Sequence, residues 1–231
     1  IKCATLRKVF QSTVATLWQM NSEIVDAVTE WETAQFSGGY EGLHTLADRE
    51  FSGAITEGTV WAFMLNGRLI GIDEGTVSAF AEADGTAYKS PTPALPLLYA
   101  MQSRGEKQAE YYTNEKSISE ADSTLSSGSF TGYIELSENV LSGDYYIVYY
   151  GGKSMSVAFV GNSRKLLTDE KAFSRADNEV GIYTVYATDL TVIDIPEPAD
   201  ASDPEPETNT TPTESTNDQT DTSESTTADV S

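Results

Sequence analysis

Residues 143–157, GDYYIVYYGGKSMSV, align without a gap with residues 58–72, GTVWAFMLNGRLIGI. Gly58 falls on Gly143, Trp61 on Tyr146, Gly67 on Gly152 and Arg68 on Lys153. Each stretch reads as a β-hairpin. Aromatic and β-branched residues crowd the first strand. Asn66-Gly67 and Gly151-Gly152 supply a two-residue turn, whose backbone needs left-handed residues. In the later copy Ser154 and Ser156 alternate with Met155 and Val157, the period of two that marks a strand.

The flanks repeat as well. Phe51-Ser52-Gly53-Ala54-Ile55 leads into the first hairpin and Phe130-Thr131-Gly132-Tyr133-Ile134 into the second. Ala79-Phe80-x-x-Ala83-Asp84 follows the first as a helical turn, and Ala172-Phe173-x-x-Ala176-Asp177 follows the second. A short strand closes each copy, at Tyr88 and at Ile182-Tyr183. The offsets between the copies are 79, 85 and 93, so loops have lengthened while the order held. Two copies are too few for a solenoid. The expected fold is α+β: two pseudo-repeated antiparallel hairpin and sheet units, about 51–88 and 130–183, with short helices and one shared core.

Other elements fill the gaps. Asn21 or Ser22 can cap a helix running to about Thr33, with Ile24, Ala27, Val28 and Trp31 on one face. Gly38-Gly39 breaks it, and a short helix over 41–49 follows, with Leu43, Leu46 and Ala47 facing in. The proline-rich connector from Pro91 to Pro96 feeds an apolar helix over 94–102 that buries Leu97, Leu98 and Met101. A strand is expected at 108–113. Ser117-x-x-Glu120 is a capping box that opens a helix to about Ser126. The last strand is expected over 190–195.

Charge divides the 231-residue chain. There are 36 acids against 14 bases, a formal net charge of -22. Residues 1–19 hold Lys2, Arg7 and Lys8 and no acid, begin at Ile, and contain the only cysteine, Cys3. We read them as upstream read-through, with translation starting at Met20. A signal peptide is the alternative, but the apolar stretch is broken by polar residues and no cleavage site stands out. The tail over 196–231 holds 10 acids, no base, five of the eight prolines and fourteen Ser/Thr. Such composition cannot bury enough surface to fold, so a disordered acidic tail or linker is expected. The stretch 20–195 keeps 26 acids and 11 bases. Self-repulsion of that size is screened by salt. With only eight lysines, the balance resembles that of a protein from a salt-loving archaeon with molar salt in its cytosol; the alternative is an ordinary acidic protein.

Chemistry is sparse. One cysteine and one histidine, His44, exclude a disulfide framework, a thiolate cluster and most zinc or Cys-His designs. Gly151-Gly152-Lys153-Ser154 lacks the upstream glycine of a phosphate loop and reads as a turn. Asp73-Glu74 and Asp169-Glu170 are paired acids that could hold a cation but suit solvated loops. No catalytic constellation, cofactor site or metal site is read. Arg68 and Lys153 share one post-turn position in both copies, and could hold an anionic partner or pair with a neighbouring acid. Trp61 and Tyr146 lead the aromatic mass, with Tyr145, Tyr149 and Tyr150, and serve either cross-strand packing or a binding face. These four residues, Arg68, Lys153, Trp61 and Tyr146, are the candidate partner-binding set. No basic stripe for nucleic acid and no eighteen-residue apolar run appear.

The ordered segments FSGGYEGLHTLADREFSGAITEGTVWAFMLNGR, GTAYKSPTPALPLLYAMQ and LSSGSFTGYIELSENVLSGDYYIVYYGGKSMSVAFVGNS resemble an uncharacterised domain family of haloarchaea, over about residues 20–197. Members of that family are often labelled transcriptional regulators, and tend to continue past the acidic linker. It carries no agreed catalytic residues, so the resemblance transfers none. A fainter likeness, from the F-x-G-x-I strand and the Gly-Arg or Gly-Lys hairpin end, is to bacterial response-regulator-associated domains of the gliding and phototaxis type. The resulting expectation is a non-enzymatic regulatory or protein-interaction module of the cytoplasm, binding another protein through a sheet face or edge. The alternatives are a DNA-associated regulator with a positive patch around Arg68, Lys153 and Arg164, and a surface protein on a Thr-rich stalk.

Overall fold

The computed structural model describes residues 22–198. The expected read-through at 1–19 lies outside the described residues, as does the tail from 199 on.

Helix α1 (Ser22–Thr29) is followed by β1 (Glu32–Phe36), α2 (Gly39–Asp48), β2 (Gly53–Glu57), β3 (Val60–Leu65) and β4 (Arg68–Asp73). A 3-10 turn (Val77–Phe80) and β5 (Gly85–Lys89) complete the first unit, and α3 (Ala94–Gln102) leads to the second. The second unit comprises β6 (Glu106–Tyr112), α4 (Ile118–Ser127), β7 (Gly132–Glu138), β8 (Gly143–Tyr150), β9 (Lys153–Val160), β10 (Lys165–Thr168), α5 (Asp169–Asp177) and β11 (Ile182–Ala187). The fold is α+β, with two antiparallel sheets ordered β1-β5-β2-β3-β4 and β10-β9-β8-β7-β11-β6.

The two orders coincide strand for strand once β10 is set aside. The duplication therefore reaches beyond the expected copy limits: β1 matches β6, and α2 matches α4. The sequence motifs now have causes. The rings of Phe51 and Phe130 lie over Gly53 and Gly132, where a Cβ would come within 2.7 and 2.8 Å of them. The residue between accepts a strand-end hydrogen bond in both copies, Ser90 N to Ser52 O at 3.0 Å and Thr188 N to Thr131 O at 3.1 Å. The aspartate of the third motif reaches the first turn of the unit's own helix. Asp84 Oδ1 accepts from Gly38 N at 3.4 Å, and Asp177 Oδ1 accepts from Ser119 N at 2.8 Å. A carboxylate is favoured there because the amides of a helix start are unpaired.

Both turns are left-handed at two successive residues: Asn66 and Gly67 at φ 48° and 77°, Gly151 and Gly152 at 58° and 82°. That geometry matches the twist of the flanking strands. Helix α3 forms as expected, and the Ser117–Glu120 capping box is closed on both sides.

Three elements differ from expectation. The first helix ends at Thr29, not near Thr33, because residues 32–36 instead form β1, paired with β5 from Glu32↔Lys89 to Phe36↔Gly85. A ladder on an existing sheet outweighs a helical pattern that only Trp31 extends. Lys165–Thr168 adds β10, an unexpected edge on β9. The expected strand over 190–195 is a single bridge, Ile193 to Leu69, with Ile193 N donating to Leu69 O at 2.8 Å. Pro196 lacks the amide that would continue a ladder. Its carbonyl lies 3.1 Å from His44 Nε2, so the histidine ring meets this closing segment.

The core has three parts. One lies between the sheets and is centred on α3, all of whose residues from Ala94 to Met101 are buried. It joins Ala54, Phe63 and Ile70 of the first sheet to Tyr133, Val148 and Val157 of the second. The outer face of the first sheet packs Ile55, Ala62, Met64 and Leu69 on α2 and the 3-10 turn. The outer face of the second packs Tyr145, Ile147 and Tyr149 on α4 and α5. Among the described residues, helices or the 3-10 turn thus pack on both faces of each sheet.

Candidate functional site

A cleft of about 660 Å³ opens where the inner face of the second sheet extends past α3 towards α1. Cross-strand register puts its sheet wall together. Glu135 on β7 lies opposite Tyr146 on β8, and Asp144 opposite Phe159 on β9. Leu166 of β10 lies opposite Phe159, so the extra strand extends this wall. The helix wall comes from Ile24, Ala27 and Trp31 at the α1 end and Leu95, Leu98 and Tyr99 on α3.

Aromatic pairs mark both walls. Trp31 stacks on Tyr99, with centroids 6.0 Å apart and planes within 11°. Tyr146 meets Phe159 edge to face at 6.5 Å. The Arg164 guanidinium sits over the Phe159 ring, 5.0 Å from its centroid, and donates to Asp144 Oδ2 at 2.9 Å.

The electrostatic oddity is Glu135. This half-buried carboxylate accepts from Ser137 Oγ at 3.2 Å and from Tyr146 Oη at 3.3 Å, both on Oε1. Among the described residues no basic side chain pairs with it. Burial raises its pKa above the ordinary carboxylate value, the two hydroxyls work in the opposite direction, and Asp144 adds to the rise. Burial likewise raises Tyr146, helped by Glu135 and Asp144, and pushes Tyr99 up to about 12. Glu23, Asp26 and Glu30 add acids to the rim, against Arg164 as the basic lining residue.

The four sequence candidates fall in different places. Trp61 is 8% exposed and stacks on Tyr88 at 5.6 Å, inside the shared core. Tyr146, its repeat equivalent, lines the cleft. Arg68 and Lys153 are exposed, each following the hairpin turn of its own sheet. Neither makes an ion pair among the described residues, and no contact joins them. Arg164 is held by Asp144 and Phe159, away from both hairpin turns. Of the paired acids, Asp73 faces Ser103 and Arg104, with Arg104 Nη2 at 3.8 Å from Oδ1, while Asp169 and Glu170 lie in the first turn of α5. Among the described residues, no group of three or more His, Cys, Asp or Glu could hold a metal ion.

Sequence reading passed over Trp31, Tyr99, Glu135 and Phe159. The signal available was Glu135, an acid where the first copy carries the uncharged Thr56.

Comparison with protein-family models, with curated proteins and with solved structures gave no match. Among the described residues, no helix is long and apolar enough to cross a membrane.

Proposed function

We propose that this protein is a non-enzymatic regulatory module of the haloarchaeal cytoplasm that binds a ligand in the cleft between α1, α3 and the second sheet. The carrying observation is Glu135, a half-buried carboxylate without a basic partner among the described residues, set beside aromatic side chains. Burial of an acid without a cation costs stability, and a binding site is where such a cost is retained. The volume is that of a small-molecule pocket. The haloarchaeal and cytoplasmic setting rests on the acid excess and on the sequence resemblance.

The test is a ligand screen on the full chain at molar salt, read by thermal shift and by Trp31 fluorescence. At least one compound class is expected to bind saturably, and Ala27→Trp, which adds an indole to the cleft wall, is expected to weaken binding while the fold is kept. If no class of compound binds, or if A27W binds with undiminished affinity, the reading fails.

A second reading concerns a protein partner. Strand β1 is a sheet edge whose Glu32, Thr33, Ala34 and Gln35 are exposed and nearly uncharged. Its counterpart β6 carries Glu106, Lys107 and Glu110, the last two paired with each other. A charged edge resists strand addition and an uncharged one accepts it. Co-purification at molar salt from native cells is expected to give a partner that Gln35→Lys loses; retention by Q35K would sink this route.

A further inference from the structure

Among the described residues the two sheets present four edges, and three of them carry a device against strand addition. On β4, Ile193 N donates to Leu69 O at 2.8 Å and Arg104 Nη2 donates to Ile72 O at 2.9 Å, so later segments of the chain close that edge. Strand β10 spans only Lys165–Thr168. Strand β6 carries the Lys107–Glu110 ion pair. Strand β1 has no such device: Thr33, Ala34 and Gln35 are exposed and uncharged.

The register tells which main-chain groups are open. Ser90 N donates to Ser52 O at 3.0 Å, so Tyr88 and Thr86 turn their amides towards β2 and Lys89, Ala87 and Gly85 turn theirs towards β1. Those three lie opposite Glu32, Ala34 and Phe36. The N–H and C=O groups of Thr33 and Gln35 therefore point away from the sheet.

We infer that β1 pairs antiparallel with β1 of a second copy of this chain, about a twofold axis at Ala34, which joins the two five-stranded sheets into one. The inference rests on the reading that β1 accepts a strand, and it names the occupant. In this register Thr33 lies opposite the partner's Gln35, and the two pairs exchange about four main-chain hydrogen bonds. Ala34 meets the partner's Ala34, the smallest side chain of the strand at its tightest point. Glu32, the only charge on β1, lies opposite the partner's Phe36 and well away from the partner's Glu32. A basic strand is a poorer fit, because that one acid already lies opposite Lys89 on β5.

The test is sedimentation of the full chain in 2 M KCl, where repulsion between the acidic copies is screened to within a few ångströms. A concentration-dependent dimer is expected. Gln35→Pro removes one outward N–H, which an edge strand tolerates, and is expected to weaken the dimer about tenfold or more with the circular dichroism unchanged. Ala34→Cys in a Cys3→Ser background is expected to oxidise to a disulfide-linked dimer, since Cα atoms in such a pair lie about 4.5 Å apart. Thr33→Cys in the same background is expected not to link, because it faces the partner's Gln35. A chain that stays monomeric, a dimer as tight with Q35P, or linking by T33C and not by A34C overturns the inference. A different protein that co-purifies with a monomeric chain and is lost by Q35K overturns it too, while leaving β1 an acceptor of strands.

Discussion

The amide of Gly67 donates to the carbonyl of Phe51 at 2.8 Å, and this bond recurs in the second unit between Gly152 and Phe130 at 2.8 Å. It closes the hairpin turn on the start of the preceding strand. A Cβ at Gly67 would lie 2.2 Å from Ala47 O, and one at Gly152 would lie 2.5 Å from Ser126 O. Both glycines also have positive φ. Gly67→Ala and Gly152→Ala are each expected to cost about 2 kcal/mol or more, since backbone on both sides must move. Urea denaturation of the two variants measures it; a loss below about 0.5 kcal/mol in both would refute the argument.

Tyr183 and Tyr149 are both fully buried on the outer face of the second sheet, yet their hydroxyls differ. Tyr149 Oη donates to Asp122 Oδ1 at 3.0 Å. Tyr183 Oη has no hydrogen-bond partner among the described residues. Tyr149→Phe is expected to destabilise by about 1 kcal/mol, because Asp122 loses a donor. Tyr183→Phe removes an unsatisfied polar group and is expected to be neutral or to stabilise by up to about 1 kcal/mol. Paired denaturation curves test the contrast, which a larger loss for Y183F would reverse.

Glu135 gives a pH signature. Its folded pKa is raised above the ordinary 4.5, chiefly by burial. The folded state therefore holds this proton more tightly than the unfolded chain. Its contribution to stability is full below the unfolded value and is lost as pH rises through the folded one. Glu135→Gln is expected to raise Tm at pH 7.5 and to leave it unchanged at pH 4. A Tm gain equal at both pH values would show that the effect is not ionisation of Glu135.

The buried tyrosines act at the other end of the scale. Burial pushes Tyr99 and Tyr183 up to about 12, and raises Tyr133, Tyr146 and Tyr149 further. The native state keeps protons that the unfolded chain releases near 10, so stability holds below pH 10 and falls above it. Absorbance at 295 nm is expected to show these rings ionising in a cooperative phase that coincides with unfolding. A single smooth titration with the fold intact at pH 12 would contradict this.

Salt tests the charge balance. With 26 acids and 11 bases over 20–195, stability is expected to rise between 0.1 and 2 M KCl, as the screening length falls from about 10 Å to a few ångströms. A Tm unchanged across that range would argue against the halophilic reading.

The hairpins were legible because a period of two and a turn dipeptide are local signals. So were α3 and the capping box of α4. Strand β1 was hidden because Trp31 continued the apolar face of α1, and only pairing with β5 makes residues 32–36 extended. The cleft was hidden for a related reason. In β7, Tyr133, Glu135 and Ser137 alternate with Ile134 and Leu136, a pattern in which an acid marks the solvent face. Here that face is turned towards α3, which covers Tyr133 and leaves Glu135 at its margin. The cleft draws on α1, α3, β7, β8, β9 and the turn after β9, and no local pattern links them.

Helix α3 runs between the strands of two units that match strand for strand apart from β10. Two identical chains related by a twofold axis would have to accept every substitution in both halves. A Tyr146 opened towards solvent in one would be a Trp61 position opened in the other. Joining the halves through α3 frees each to vary alone. One half can keep its stacked Trp61–Tyr88 interior as scaffold while the other gives up close packing around Tyr146. The fused chain thereby has a lopsidedness that a symmetric pair could not hold, and the cleft lies on the side that gave way.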